Sequence, residues 1–135
     1  YGAGIGLLAT YLAGAGGNVA GLLLYPASHL GVGASGMVMG ALGMLAAQSA
    51  MSFRHNPLSR KNVVRGVLAG LMLFVLFGLN PDADVIAHLG GFVTGLMFGV
   101  ILMWLPANWQ NSKANAAAGI LFAGLLVTTS WLAFR

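Results

Sequence analysis

Five apolar runs, each near the roughly 20 residues needed to cross about 30 Å of hydrocarbon, leave this chain little choice of fold. They fall at about 2–25, 34–53, 63–79, 85–105 and 114–134. With 59% hydrophobic and 6% charged residues, the sequence has far too much apolar length for a soluble core of its size. Turn and cap residues punctuate the runs. Pro26 ends the first, Asn80-Pro81 the third, and Pro106 follows the fourth, while Arg135 closes the fifth. Asp84 stands immediately before the fourth run, where an N-cap belongs. No long linker or low-complexity tract interrupts the series. The prediction is an all-α polytopic membrane protein of about five transmembrane helices, forming one membrane domain over 1–135.

Charge fixes the expected orientation. Arg54, Arg60, Lys61 and Arg65 crowd the connection between the second and third runs, and Lys113 lies in the connection before the fifth. Connections rich in Lys and Arg stay cytoplasmic, and Trp104 and Trp109 fit an interfacial belt on that same side. The opposite connections, 26–33 and 80–84, carry neither Lys nor Arg. The formal net charge of +4 therefore reads as a topology signal, and no nucleic-acid partner is expected. The absence of cysteine excludes disulfides, thiolate catalysis and Cys-based metal sites. Neither a cofactor nor a metal is expected. The first residue is Tyr1, already inside an apolar segment, so the chain is expected to be a piece whose earlier helices lie upstream.

Chemistry concentrates at two positions. Ser35 lies in Gly33-Ala34-Ser35-Gly36 and His88 in Ala87-His88-Leu89-Gly90-Gly91, each at the start of a predicted helix. A hydroxyl and an imidazole in a bilayer are the parts of a nucleophile–base pair. At about 1.5 Å per residue, Ser35 stands roughly 28 Å from Arg54 and His88 roughly 24 Å from Trp104. The two thus share the non-cytoplasmic end of the bundle. Gly91, Gly95 and Gly99 follow His88 within roughly 60° of its direction at about 100° per residue. Such a stripe lets a second backbone approach closely, so His88 is predicted to point at a packed helix. Gly36, Gly40, Gly43 and Ala47 form the matching stripe on the second run, with Ser35 to one side of it.

Each feature also has a plainer reading. Small-residue stripes are ordinary packing devices, and a serine in a glycine-rich helix is commonly a packing residue. A membrane histidine also serves as an interhelical hydrogen-bonder. Asp84, four residues before His88, is either an orienting carboxylate or a helix cap, and its place just outside the run favours the cap. His29 and His55 read as polar loop residues.

Together, the Gly-x-Ser-Gly helix start and the Ala-His-x-Gly-Gly-x-x-x-Gly helix resemble the rhomboid family of intramembrane serine proteases. The similarity takes in Gly17-Asn18 near the end of the first run, the basic loop and the histidine helix, and extends over about 1–105, with core helices at about 2–105. By that resemblance the runs correspond to the third to sixth helices of a six-helix core, plus one additional C-terminal helix at about 114–134. The resemblance makes Ser35 the nucleophile and His88 the general base, with no carboxylate required. It implies single transmembrane helices of other proteins as substrates, the lipid bilayer as surroundings, and the third run as a mobile gate with Phe74 and Phe77 as bulky gate residues. The expected setting is a bacterial inner (plasma) membrane, with loop 54–62 cytoplasmic and the site opening to the opposite side.

Two departures qualify the implied activity. The family's helix bearing the His and Asn that help bind the oxyanion is not in this sequence, and Met39 stands where many members carry an aromatic against the imidazole. The alternative is a catalytically inactive rhomboid-like protein that binds transmembrane helices, favoured by Met39 and opposed by retention of Ser35 and His88. A small transporter or channel component is disfavoured, because every charged residue maps to a loop or helix end.

Overall fold

A computed structural model of the protein describes residues 2–24, 34–55 (52–55 by backbone alone), 84–106, 109 and 111–135, together with 61, 64, 65, 68, 70, 72 and 75. The expected gate residues Phe74 and Phe77, the loop histidine His29, Arg60 and most of the connections 26–33 and 80–84 lie outside these residues. Four helices are described in full: α1 (Ala3–Leu24), α2 (Ser35–His55), α3 (Val85–Trp104) and α4 (Ser112–Ala133). Among the described residues there is no strand, and the architecture is a bundle of long helices.

The bundle is packed inside-out relative to a soluble protein. On α1 the buried residues are Gly4, Ala9, Ala13, Gly14, Gly17 and Gly21, while Leu22 is 79% exposed. On α3 the buried positions run His88, Gly91, Gly95 and Gly99, with Val93, Met97 and Trp104 outside. Lipid is as apolar as leucine, so large side chains gain nothing by turning inward, whereas small ones let helices touch and gain dispersion contact. No large side chain is completely enclosed among the described residues.

Close approaches fix the directions of the helices. Gly36 of α2 meets Gly91 of α3, Gly40 meets Gly95, and Met44 with Ala47 meets Gly99, so α2 and α3 run parallel. A Cβ added to Gly95 would lie only 2.6 Å from the Gly40 Cα, and one on Gly91 would strike the Gly36 carbonyl. Helix α1 runs antiparallel to both: Gly14 lies on Met37 and Gly40 on Ala13, while Gly16 lies on Thr94 and Gly90 on Ala20. The end of α2 and the start of α3 therefore sit at opposite ends of the bundle, joined by the chain 56–83. Its described residues (Lys61, Val64, Arg65, Leu68, Gly70, Met72 and Val75) are helical, with Gly70 beside Leu42 of α2.

Helix α4 buries none of its residues and packs on α1, parallel to it. Its attachments are polar and aromatic. Asn115 Oδ1 accepts from the Gly4 and Ile5 backbone N–H groups at 2.8 and 3.2 Å. Tyr11 donates to Thr129 Oγ1 at 3.1 Å, and its ring stands edge-on to Phe122 with centroids 6.0 Å apart.

Among the described residues three helices, α1, α3 and α4, are long and apolar enough to cross a membrane, which makes this an integral membrane protein. Five spans were predicted. Helix α2, 21 residues long, covers the predicted second span at 34–53, with 52–55 described by backbone alone. The predicted span at 63–79 lies largely outside the described residues. Helix ends otherwise agree within two residues; α4 starts at Ser112, earlier than expected, because the Asn111 side chain caps it by accepting from Ala114 N at 2.9 Å.

Candidate active site

The site is built from two helix starts. Helix α3 begins where Asp84 accepts from the Ala87 N–H through Oδ1 at 2.9 Å, and the Asp84 carbonyl accepts from the His88 N–H at 3.0 Å. This is an N-cap in the ordinary sense: the carboxylate satisfies an N–H that has no partner within the helix and sits favourably at the positive end of the dipole. Asp84 makes no hydrogen bond to the imidazole, since neither nitrogen of His88 has a partner. Of its two sequence readings, capping is the one the geometry displays.

Helix α2 begins at Ser35. The Ala34 carbonyl accepts from Met37 N at 3.0 Å and from Val38 N at 3.4 Å, so it opens the helical ladder. The N–H groups of Ser35 and Gly36 precede that ladder and have no carbonyl within the helix to bond. Ser35 is exposed, and Gly36 beside it is buried. A Cβ on Gly36 would lie 3.7 Å from the Ala87 carbonyl oxygen, so the residues adjoining Ser35 and His88 are in near contact.

The glycine pairs set the depth of each group. With Gly36 against Gly91 and Gly40 against Gly95, Ser35 stands level with Gly90, and His88 lies roughly 3 Å nearer the mouth of the bundle. His88 is 3% exposed, and both Nδ1 and Nε2 are buried without a hydrogen-bond partner. The Ser35 hydroxyl therefore does not bond the imidazole in this structure. A buried imidazole with neither nitrogen satisfied is uncommon and calls for a partner from side-chain rotation, water or ligand. Met39, one turn below Ser35, is 2% exposed and belongs to the packed interior.

His55 closes α2 at the far end of the bundle, away from this site. Among the described residues no three or more His, Asp or Glu side chains lie together in a metal-binding group. The polar residue that sequence reasoning missed is Asn115, which bonds the start of α1 from another helix. Its one sequence signal is indirect: Gly2, at the N-cap position of α1, has no side chain with which to cap that helix itself.

A membrane-embedded bundle of small-residue helices, with a hydroxyl and a buried imidazole at the same end of two parallel helices, defines a narrow class of protein. A Rhomboid domain profile matches residues 1–105, and the chain belongs to the rhomboid family. It is similar to RHOMBOID-like protein 4 of Arabidopsis thaliana, 34% identical over 135 residues, covering 95% of this chain and 33% of that protein. It is also similar to RHOMBOID-like protein 6, mitochondrial, of the same plant, 28% identical with 80% of this chain and 35% of that protein covered. The chain thus spans about a third of the length of the curated relatives it matches. No solved structure matches it significantly. The relatives are plant proteins, which gives no support to the bacterial inner membrane expected from the sequence. The profile match ends at Leu105, so α4 lies beyond it.

Proposed function

We propose that this chain carries the catalytic dyad of an intramembrane serine endopeptidase that cleaves transmembrane segments of other membrane proteins. The observation that carries the reading is His88: a buried imidazole with two unpaired nitrogens, on a helix locked backbone-to-backbone and in parallel to the helix that Ser35 begins. Rotation about χ1 of Ser35 turns its hydroxyl without disturbing either helix. Bonds of this kind are often long or unmade before substrate binds.

In the reaction, neutral His88 takes the Ser35 proton as Oγ attacks a peptide carbonyl, and an acyl-enzyme forms. His88 returns the proton to the leaving amine, and water then releases the acyl group. The unladdered N–H groups of Ser35 and Gly36 face the growing negative charge, and the α2 dipole has its positive end there. The dyad lies near the end of the bundle opposite Arg54 and Lys113, and in this proposal water reaches it from its own end. In this proposal the basic end is cytoplasmic, and 1–135 act as one membrane domain, with α4 added to the core.

A second reading, a catalytically inactive rhomboid-like protein that binds transmembrane helices, draws on the missing Ser35–His88 bond and on Met39. Labelling of the full-length protein by a fluorophosphonate probe separates the two. The protease reading expects labelling that is lost in both Ser35→Ala and His88→Ala, whereas an inactive binder leaves Ser35 unlabelled throughout.

A further inference from the structure

The start of α1 poses an accounting problem. The first N–H groups of a helix have no partner within it, and an N-cap side chain ordinarily accepts from the second or third helical residue. In α1 those residues are Gly4 and Ile5, and the cap position is occupied by Gly2, which has nothing to offer. The oxygen comes instead from α4: Asn115 Oδ1 accepts from both N–H groups, at 2.8 and 3.2 Å. The surroundings are shaped to it. A Cβ on Gly2 would collide with the Asn115 side chain, and one on Gly4 would strike the Asn115 carbonyl and lie 2.8 Å from Gly119 N. Two glycines of α1 and the Asn115–Gly119 turn of α4 thus form one crossing point with an amide at its centre.

The other half of α1 bears on the site. A Cβ on Gly17 would strike the Ala87 carbonyl and lie 2.9 Å from Gly91 N, and one on Gly90 would lie 3.0 Å from Gly17 Cα. Helix α1 is therefore the backing of the turn that carries His88. A helix can slide along a smooth small-residue groove, and a fixed bond at one end removes that freedom.

We propose that Asn115 is a positioning residue: by capping α1 from a different helix, it sets the axial register of α1 beneath the His88 turn. The chemical consequence rests on the protease reading above, whereas the capping does not. The C-terminal helix is then a working part of the site's support.

The test compares full-length wild type with Asn115→Leu, Asn115→Asp, Gly2→Ala and the Gly2→Ala/Asn115→Leu double variant. Each is followed by SDS-driven unfolding in detergent and by the rate at which a fluorophosphonate acylates Ser35 in the folded protein. Leu keeps the branched shape and loses the acceptor; Asp keeps the acceptor and suits a helix N-terminus. Asn115→Leu is expected to lower the folded-to-unfolded ratio about fivefold, the effect of losing a typical cap, and to slow acylation, with Asp restoring both. Gly2→Ala should act like Leu, and the double variant should be no worse than either single one, because both break one interaction. Leu at wild-type level, Asp as impaired as Leu, or strictly additive effects would overturn the cap. Unfolding that weakens while acylation holds would leave a cap without a positioning role. If wild type itself is not acylated, the protease reading fails, and the unfolding cycle still decides whether Asn115 caps α1.

Discussion

The α2–α3 contact and the α1–α4 contact solve the same problem in opposite ways. Between α2 and α3, Gly36, Gly40, Gly91 and Gly95 bring two backbones together with no side chain between them. Between α1 and α4 there is one close crossing at Gly4, and beyond it the helices are held by Asn115, by Tyr11 with Thr129, and by Tyr11 against Phe122. The first contact gains from dispersion spread along its length, so it is rigid and intolerant of added volume. The second depends on a few directional bonds, so it is open to lipid and separable bond by bond. Ser35 and His88 sit on the rigid contact, and in the proposal above their support is set through the other.

The largest difference between the two should appear on adding bulk. Gly95→Leu must push a side chain into the Gly40 backbone, which cannot retreat as a flexible side chain would. Overpacking commonly costs 1–3 kcal/mol, and with backbone as the obstacle we expect about 3 kcal/mol or more, read as loss of the folded state at low SDS. Gly124→Leu on α4, with nothing within 4 Å of its added Cβ, should be nearly silent. Equal sensitivity at the two positions would erase the distinction.

The next effect has the opposite sign. His88 occupies the rigid contact with both nitrogens unpaired, and leaving a buried polar group unsatisfied costs about 1–3 kcal/mol. His88→Phe, similar in shape, should therefore unfold at a higher SDS fraction, by about 1 kcal/mol, while fluorophosphonate labelling of Ser35 disappears. A destabilised His88→Phe would mean that the imidazole is already satisfied in the working protein.

What could be read from the sequence follows the same division. The α2–α3 contact was legible because its glycines recur every three or four residues, and one helical period suffices to place them on one face. The Asp84 cap was legible because the residue stands next to the N–H groups it serves. Asn115 was not. A cap supplied from a helix more than a hundred positions away leaves no local pattern, and an asparagine within an apolar run reads as an isolated polar residue. The direction of Ser35 also escaped, since periodicity constrains a residue poorly at the first position of a helix, before the ladder begins.

Asp84 tests whether the site end of α3 behaves as a local cap. Asp84→Ala should cost about 1 kcal/mol, whereas Asp84→Asn, which keeps an acceptor oxygen for Ala87 N, should cost only a few tenths. Asp84→Asn should also leave the fluorophosphonate rate close to wild type, because the carboxylate does not touch the imidazole. A rate that collapses in Asp84→Asn with stability intact would give the residue back its other reading, as an orienting carboxylate.

The smallest effect belongs to the open contact. Tyr11→Phe keeps the ring against Phe122 and removes only the hydroxyl that donates to Thr129. Interhelical side-chain hydrogen bonds in membranes average about 0.6 kcal/mol, because the separated helices find other partners. Thr129 has such an alternative already, since its own hydroxyl bonds the Leu125 carbonyl at 2.8 Å. The expected loss is thus about 0.5 kcal/mol, and it should add to that of Asn115→Leu, the two bonds lying at separate points along α1. Strong coupling between them would mean that α4 docks all at once, which would make the α1–α4 contact as cooperative as the glycine contact it otherwise differs from.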